Sequence, residues 1–230
     1  MIPKKIHYCW FGNGEKNKKV LHCIESWKKI CSDYEIIEWN EQNFDVNMNA
    51  YTKMCYSEKK YAFLSDYARL VIIAQNGGVY FDTDVELVKP IDFLLENEAF
   101  FAFETPEYVN SGLGFGSVAE SEIMKAMIKE YDCVIDGNHG TVGCPVLNTQ
   151  ALCRLGLQKN GQMQKLGETL ILPPDYMNPY ESTTGRLNKT ANTVSIHWYA
   201  GSWMTKTQLL RSSVTKPIHR IFGNNALKKH

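Results

Sequence analysis

Apolar positions along this chain repeat with two different periods, and the changes between them mark out the elements. KIHYCWFG, residues 5–12, is aromatic-rich and weakly alternating, which predicts a buried strand ending at Gly12 and Gly14. In VLHCIESWKKI, Val20, Leu21, Ile24, Trp27 and Ile30 fall on one helical stripe. YEIIEW then predicts a strand with Ile37 and Trp39 on one face, completing a β-α-β opening typical of an α/β layer. Residues 41–60 are polar and irregular, with room for short helical turns. KKYAFLSDYARLVIIAQNGG carries the strongest helical pattern, with Ala62, Leu64, Ala68, Leu70, Val71, Ile73 and Ala74 forming its apolar face. Gly77 and Gly78 stop it, one of them as a left-handed C-cap. VYFDTDVELV follows as a predicted strand, broken at Lys89-Pro90.

The second half is less regular. AFFAFE predicts a strand and GLGFGS a short glycine-rich strand or loop. SEIMKAMIKEYD predicts a helix with Ser121 and Glu122 at its start. HGTVGCPVLNTQALCRLG reads as a loop running into another helix, and TLILPPDYMNPY as a short strand ending in turns. TVSIHWYAGSW reads as an aromatic strand and loop. There is no internal repeat, and GLGFG lacks the spacing of a dinucleotide-binding fingerprint.

Composition narrows the class. At 230 residues one domain is expected, with 44% hydrophobic and 22% charged residues as in ordinary globular chains. A formal net charge of zero argues against a nucleic-acid partner. Charge is unevenly placed, however. No acidic residue follows Glu181, whereas Arg186, Lys189, Lys206, Arg211, Lys216, Arg220, Lys228 and Lys229 do. That asymmetry suits an anionic partner or membrane surface, or a plainly solvated tail. The seven cysteines contain no CxxC pair and their number is odd, so reduced thiols and a cytoplasmic setting are expected. MIPKKIHYCWFG lacks the pattern of a signal peptide, and no apolar run approaches the roughly 20 residues of a membrane span.

The chemistry-bearing stretch is GGVYFDTDVELV. On an extended strand, Asp82 and Asp84 share a face, where like charges repel unless a cation or donors compensate. Hard divalent cations take oxygen ligands, so an Asp-x-Asp at a strand end suits a metal-diphosphate clamp. Two bland surface carboxylates would give the same letters. Phosphatases of the haloacid-dehalogenase type also place Asp-x-Asp after an apolar strand, the first Asp acting as nucleophile. They want Thr or Val two residues beyond the second Asp, where this chain has Glu86, and the motif usually lies near the N-terminus.

Three landmarks occur in order: KIHYCWFG, then AFLSDYARLVIIAQNGGVYFDTDVEL, then HWYAGSW. Together they resemble the sugar-binding DXD glycosyltransferases of glycosyltransferase family 32, which include bacterial capsular and lipopolysaccharide transferases. They are similar also to the landmarks of the large clostridial glucosylating toxins. The resemblance is good over residues 2–90 and patchy until 193–203. It implies a GT-A fold, that is, a Rossmann-like mixed sheet flanked by helices, in a catalytic domain spanning 1–205. Residues 206–230 would form a basic C-terminal segment facing a membrane or partner. It further implies a nucleoside-diphosphate-sugar donor, with uracil the expected base, a Mn²⁺ or Mg²⁺ cofactor, and transfer with retention to a glycan or lipid-linked oligosaccharide in bacterial surface polysaccharide assembly. The expected location is cytoplasmic, peripheral on the inner face of the membrane.

Residue by residue, the resemblance makes Trp10 the platform for the base, a role suited to indole stacking. Asp66 and Arg69, at i and i+3 on one helix face, would hold sugar hydroxyls and a phosphate; alternatively they form a surface ion pair. Tyr80 would pack beside the donor or simply in the core. Asp82 would meet the ribose or reach the metal through water, Asp84 would bind the metal directly, and His197 would be its third ligand. Ser202 and Trp203 belong to a loop closing over the donor, with Trp203 donating its indole N–H to the leaving phosphate and Gly201 as hinge. A double displacement needs a carboxylate beside the anomeric carbon. Glu104 and Asn110 lie in the right region, while the resemblance favours a front-face mechanism without a protein nucleophile. A carbohydrate-binding protein without catalysis is the remaining alternative.

Overall fold

The computed structural model describes residues 1–201, 215, 216 and 220. The chain opens as expected: strand β1 (Lys5–Cys9), helix α1 (Lys18–Ile30) and strand β2 (Glu35–Trp39). Asn17 caps α1, its side chain accepting the Lys19 and Val20 N–H groups. Val20, Cys23, Ile24 and Trp27 face the core. Leu21, expected on that stripe, is exposed, and Cys23, about one turn after Val20, is buried in its stead. The polar stretch that follows contains a real helix, α2 (Ala50–Ser57), started by a reciprocal capping box between Asn49 and Thr52.

Helix α3 (Tyr61–Asn76) is buried at every position from Tyr67 to Ile73, because it is covered by α2, by the sheet and by a later helix. Gly77 ends it at φ 63°, returning its N–H to Ile73. Gly78 (φ 106°) then starts strand β3 (Gly78–Tyr80); a Cβ there would lie 2.9 Å from the His7 ring and from Lys5 O. The expected strand through VYFDTDVELV is broken. β3 ends at Tyr80, the chain turns with Val85 N–H on Asp82 O, and β4 (Val85–Leu87) belongs to a different small sheet. Asp82 and Asp84 therefore converge through a turn rather than through the pleat of one strand.

Beyond Lys89-Pro90 come β5 (Ala99–Thr105), β6 (Tyr108–Val109), a 3₁₀ turn at Ser111–Leu113 and β7 (Phe115–Ser117). Ser121 caps α4 (Glu122–Lys129), and α5 (Cys144–Arg154) starts with Pro145 in its first turn. β8 (Gln164–Leu166), β9 (Thr169–Leu172), the short helix α6 (Pro174–Met177), the hairpin β10 (Tyr180–Glu181) and β11 (Arg186–Leu187), and β12 (Ser195–His197) complete the described chain.

Among the described residues the main sheet runs β2-β1-β3-β7-β5-β9-β8, with β6 added on β5. β1 pairs in parallel with β2 and β3, and β5 with β9; β7 runs antiparallel between β3 and β5. Alternation splits the core in two. Phe101 and Phe103 of β5 face α3, α4 and α5, whereas Phe100 and Ala102 face the side of α1 and α6. β12 pairs with β4 off the main sheet, which returns the C-terminal end of the described chain to the Asp-x-Asp turn.

Candidate active site

β1, β3 and β5 point the same way, so their carboxyl ends share one edge of the sheet. Ligands of open α/β sheets bind at that edge. A cleft of about 800 Å³ opens there, with Trp10, Asp82 and Glu104 on its wall, one from beyond or at the end of each strand. Asp66, Arg69, Asp84, Asn110 and His197 also line it.

An ion-pair chain forms its floor. Arg69 Nη2 lies 2.9 Å from Asp66 Oδ1 and 3.0 Å from Asp82 Oδ1. The side chains of Arg69 and Asp66 are 3% and 13% exposed, so the surface ion pair considered from the sequence is instead a buried one. The guanidinium also sits 5.0 Å over the Tyr80 ring. Tyr80 itself is fully buried behind Asp82 and donates its hydroxyl to Asp82 Oδ1 at 3.1 Å; it reaches the cleft only through that carboxylate. Gly112 packs against the same group. A Cβ there would lie 2.7 Å from Asp82 Oδ2 and 3.0 Å from Asn110 Oδ1.

Asp84 is held from the other side. His197 Nε2 is 3.1 Å from its Oδ1, and the Ala200 N–H donates to its Oδ2 at 2.7 Å. The Trp198 N–H donates to the Asp84 carbonyl. His197 Nδ1 is buried without a hydrogen-bond partner. Ligand atoms of Asp82, Asp84 and His197 all lie within 4.8 Å of one another. Three carboxylates (Asp66, Asp82, Asp84) against one guanidinium leave two net negative charges when the imidazole is neutral, the form that can ligate a metal, and one when it is protonated against Asp84. Two carboxylates and an imidazole fit a divalent cation of the Mn²⁺ or Mg²⁺ type in both donor chemistry and charge.

The environment pulls the two motif carboxylates apart. Burial pushes the Asp82 carboxyl up to about 6 against the pull of Arg69, with the Asp84 charge adding to the rise. Burial acts on Asp84 too, but the charge and hydrogen bond of His197 and the Ala200 N–H outweigh it and hold the carboxyl at about 2. For His197, burial lowers the imidazole, and Asp84 more than reverses this, leaving it above its ordinary value. Burial also raises Asp66, opposed by Arg69 and by the Cys144 thiol and N–H at the start of α5.

Trp10 is half-buried at the cleft wall. Its indole N–H donates to Gly14 O at 2.6 Å, and Lys16 Nζ lies 5.3 Å over its ring. Asn110 Oδ1 accepts the Gly112 N–H at 2.7 Å and the Cys144 thiol at 3.2 Å. Ser202, Trp203 and most of the basic segment 206–230 lie outside the described residues. Gly112 and Tyr199 were not singled out in the sequence. Gly112 sits inside the GLGFG stretch set aside as a failed fingerprint, and Tyr199 inside HWYAGSW.

The fold is that of the GT-A glycosyltransferases. Superposition gives a TM-score of 0.53 with the PaToxG glycosyltransferase at 18% identity, covering 66% of this chain and 69% of that one. It gives 0.51 at 11% identity with a glycosyltransferase involved in glycosylation of the major capsid of PBCV-1, covering 92% and 98%. Mouse xyloside xylosyltransferase 1 gives 0.50 at 11% identity, covering 87% and 99%. Within that fold, residues 17–101 match the family described as glycosyltransferase sugar-binding region containing DXD motif. Over 136 residues the chain is 31% identical to human alpha-1,4-N-acetylglucosaminyltransferase, covering 56% of this chain and 34% of that protein. It is 26% identical over 129 residues to subversion of eukaryotic traffic protein A of Legionella pneumophila subsp. pneumophila, covering 41% and 20%. The chain thus spans about a third and a fifth of the length of these relatives.

Proposed function

We propose that this protein is a metal-dependent glycosyltransferase that moves a hexose or its derivative from a nucleoside diphosphate to a sugar hydroxyl. The observation that carries the reading is the Asp82–Asp84–His197 cluster at the carboxyl edge of a GT-A sheet, in surroundings that stay net negative with only Arg69 to balance three carboxylates. A divalent cation held there would neutralise the diphosphate and stabilise it as leaving group. Asp84 and His197 supply direct ligands. Asp82, fixed by Arg69 and Tyr80, faces the cation or the ribose. Asp66 and Arg69 accept from and donate to the donor's sugar and phosphate groups at the rim of their buried pair. Trp10 stacks on the base, which we take to be uracil, with Lys16 swinging off the ring face it now covers. Ser202 and Trp203, which lie outside the described residues, keep in this reading the donor-binding role that the resemblance gives them.

Transfer with retention fits a front-face course, in which the acceptor oxygen bonds to the anomeric carbon on the side the diphosphate leaves and its proton passes to that phosphate. The turn that places Asp82 against Arg69 and Tyr80 disfavours an aspartyl-phosphate mechanism, since the nucleophile would be pinned by two donors. A setting in bacterial surface polysaccharide assembly, at the cytoplasmic face of the membrane, would suit the basic segment 206–230. Liposome binding with and without residues 206–230 tests that part; equal binding to neutral and anionic vesicles sinks it.

The activity itself is tested by screening UDP- and GDP-sugars for Mn²⁺-dependent release of nucleoside diphosphate and for a thermal shift. Release from one donor, lost in Asp84→Ala, supports it. Phosphate release from simple esters, or sugar binding without nucleotide or metal, would favour the phosphatase or the non-catalytic alternative.

A further inference from the structure

The order of strands along the sheet assigns the parts of the cleft. Trp10 follows β1, Asp82 follows β3, and Glu104 lies near the end of β5, all at the same edge. β5 is two strands beyond β3, with β7 between, which is a displacement of about 10 Å at ordinary strand spacing. If the base sits at Trp10 and the diphosphate at Asp82 and Asp84, the part of the substrates farthest from the base meets β5.

Glu104 is built into that position rather than left on a loose surface. Tyr199 donates its hydroxyl to Glu104 Oε1 at 2.8 Å and lies 3.0 Å from Asn178 Oδ1. Asn178 Nδ2 in turn donates to the Glu104 carbonyl at 2.9 Å, so both ends of the residue are tied to one neighbour pair. Tyr199 holds this post at φ 49°, a left-handed conformation unfavourable for a bulky side chain. Its ring packs against that of His197, tilted at 53° with centroids 4.1 Å apart. The cluster thus links the candidate cation ligand to a cleft-facing carboxylate.

We propose that Glu104 is the acceptor-binding carboxylate, taking a hydrogen bond from a hydroxyl of the incoming sugar, and that Tyr199 and Asn178 are the positioning residues that aim it. This rests on the glycosyltransferase reading above. A carboxylate that accepts one neutral donor, the Tyr199 hydroxyl, keeps lone pairs for a sugar hydroxyl, and a site made to accept a hydroxyl discriminates strongly against partners lacking one.

The test uses the whole chain with Mn²⁺, the nucleotide sugar it hydrolyses fastest, and a panel of p-nitrophenyl hexosides as acceptors. In Glu104→Gln the ratio of transfer to hydrolysis should fall about tenfold or more, as expected for loss of a charged hydrogen bond. In Tyr199→Phe the acceptor KM should rise by a larger factor than kcat falls, with UDP affinity by calorimetry kept. An unchanged ratio in Glu104→Gln overturns the proposal, as does an equal loss of hydrolysis and transfer, which would put Glu104 on the donor. Hydrolysis by the wild type without transfer to any hexoside also contradicts it. Absence of both nucleotide binding and hydrolysis in the wild type would instead remove the glycosyltransferase reading.

Discussion

At the residue scale, the site depends on one guanidinium and one missing side chain. Arg69 is the charge that lets Asp66 and Asp82 be buried together. Removing one member of a buried ionic set strands the others, so Arg69→Ala should cost about 3–5 kcal/mol in urea unfolding. A loss below about 1 kcal/mol, the scale of exposed pairs, would mean the chain of charges is solvated and structurally idle. Gly112 makes the complementary case. Its Cβ would press on Asp82 Oδ2 at 2.7 Å, so Gly112→Ala should displace the motif carboxylate. We expect activity to fall about a hundredfold, as for ångström-scale misplacement of catalytic groups, with a melting temperature within a few degrees of the wild type. Unchanged turnover would show that Asp82 has room to move without consequence.

At the element scale, the junction of β1, β2 and α3 carries a pH dependence of its own. His7 is fully buried; its Nδ1 accepts the Trp39 indole N–H, which leaves Nε2 to donate to Gly77 O. Burial pushes the imidazole down to about 4 from its ordinary value of 6.5. The unfolded chain therefore binds the proton first, and stability falls as the solution is acidified from pH 6.5 toward about 4. The full gap corresponds to roughly 3 kcal/mol. Urea unfolding at pH 7.5 and 4.5 checks this. His7→Gln should lose less stability over that interval than the wild type, and an equal loss would clear His7 of any part in it.

This scale also shows what the sequence could and could not tell. α3 and its Gly77-Gly78 stop were legible because a long helical period ends in residues free to adopt positive φ. α2 was not, because its signal is a cap between Asn49 and Thr52 rather than an apolar stripe. The Asp-x-Asp pair was legible as chemistry but not as geometry. Its strand-like letters hide a turn at Asp82–Val85, since β4 finds its partner in β12, over a hundred residues away. Tyr80 is ambiguous in sequence for a related reason. A tyrosine on a central strand packs its ring inward whether or not its hydroxyl serves a site carboxylate, as it does here. Tyr199 and Gly112 acquire meaning only once distant segments meet.

At the scale of the whole molecule, the parallel strands β1, β3 and β5 deliver Trp10, Asp82 and Glu104 to one edge, and β12 brings His197 and Ala200 back onto Asp84. The later part of the described chain thus returns to the mid-chain Asp-x-Asp turn and completes a cluster whose donors suit a cation. The direct measurement is calorimetric titration of UDP and GDP into the wild type and Asp84→Ala, each with Mn²⁺ and with EDTA. One nucleotide should bind the wild type tightly with Mn²⁺ and about a hundredfold more weakly with EDTA or in the variant, the scale of losing charge-assisted contacts to a diphosphate. Equal affinity in all four conditions, or no binding of either nucleotide to the wild type with Mn²⁺, would contradict a cation-diphosphate site at Asp82, Asp84 and His197.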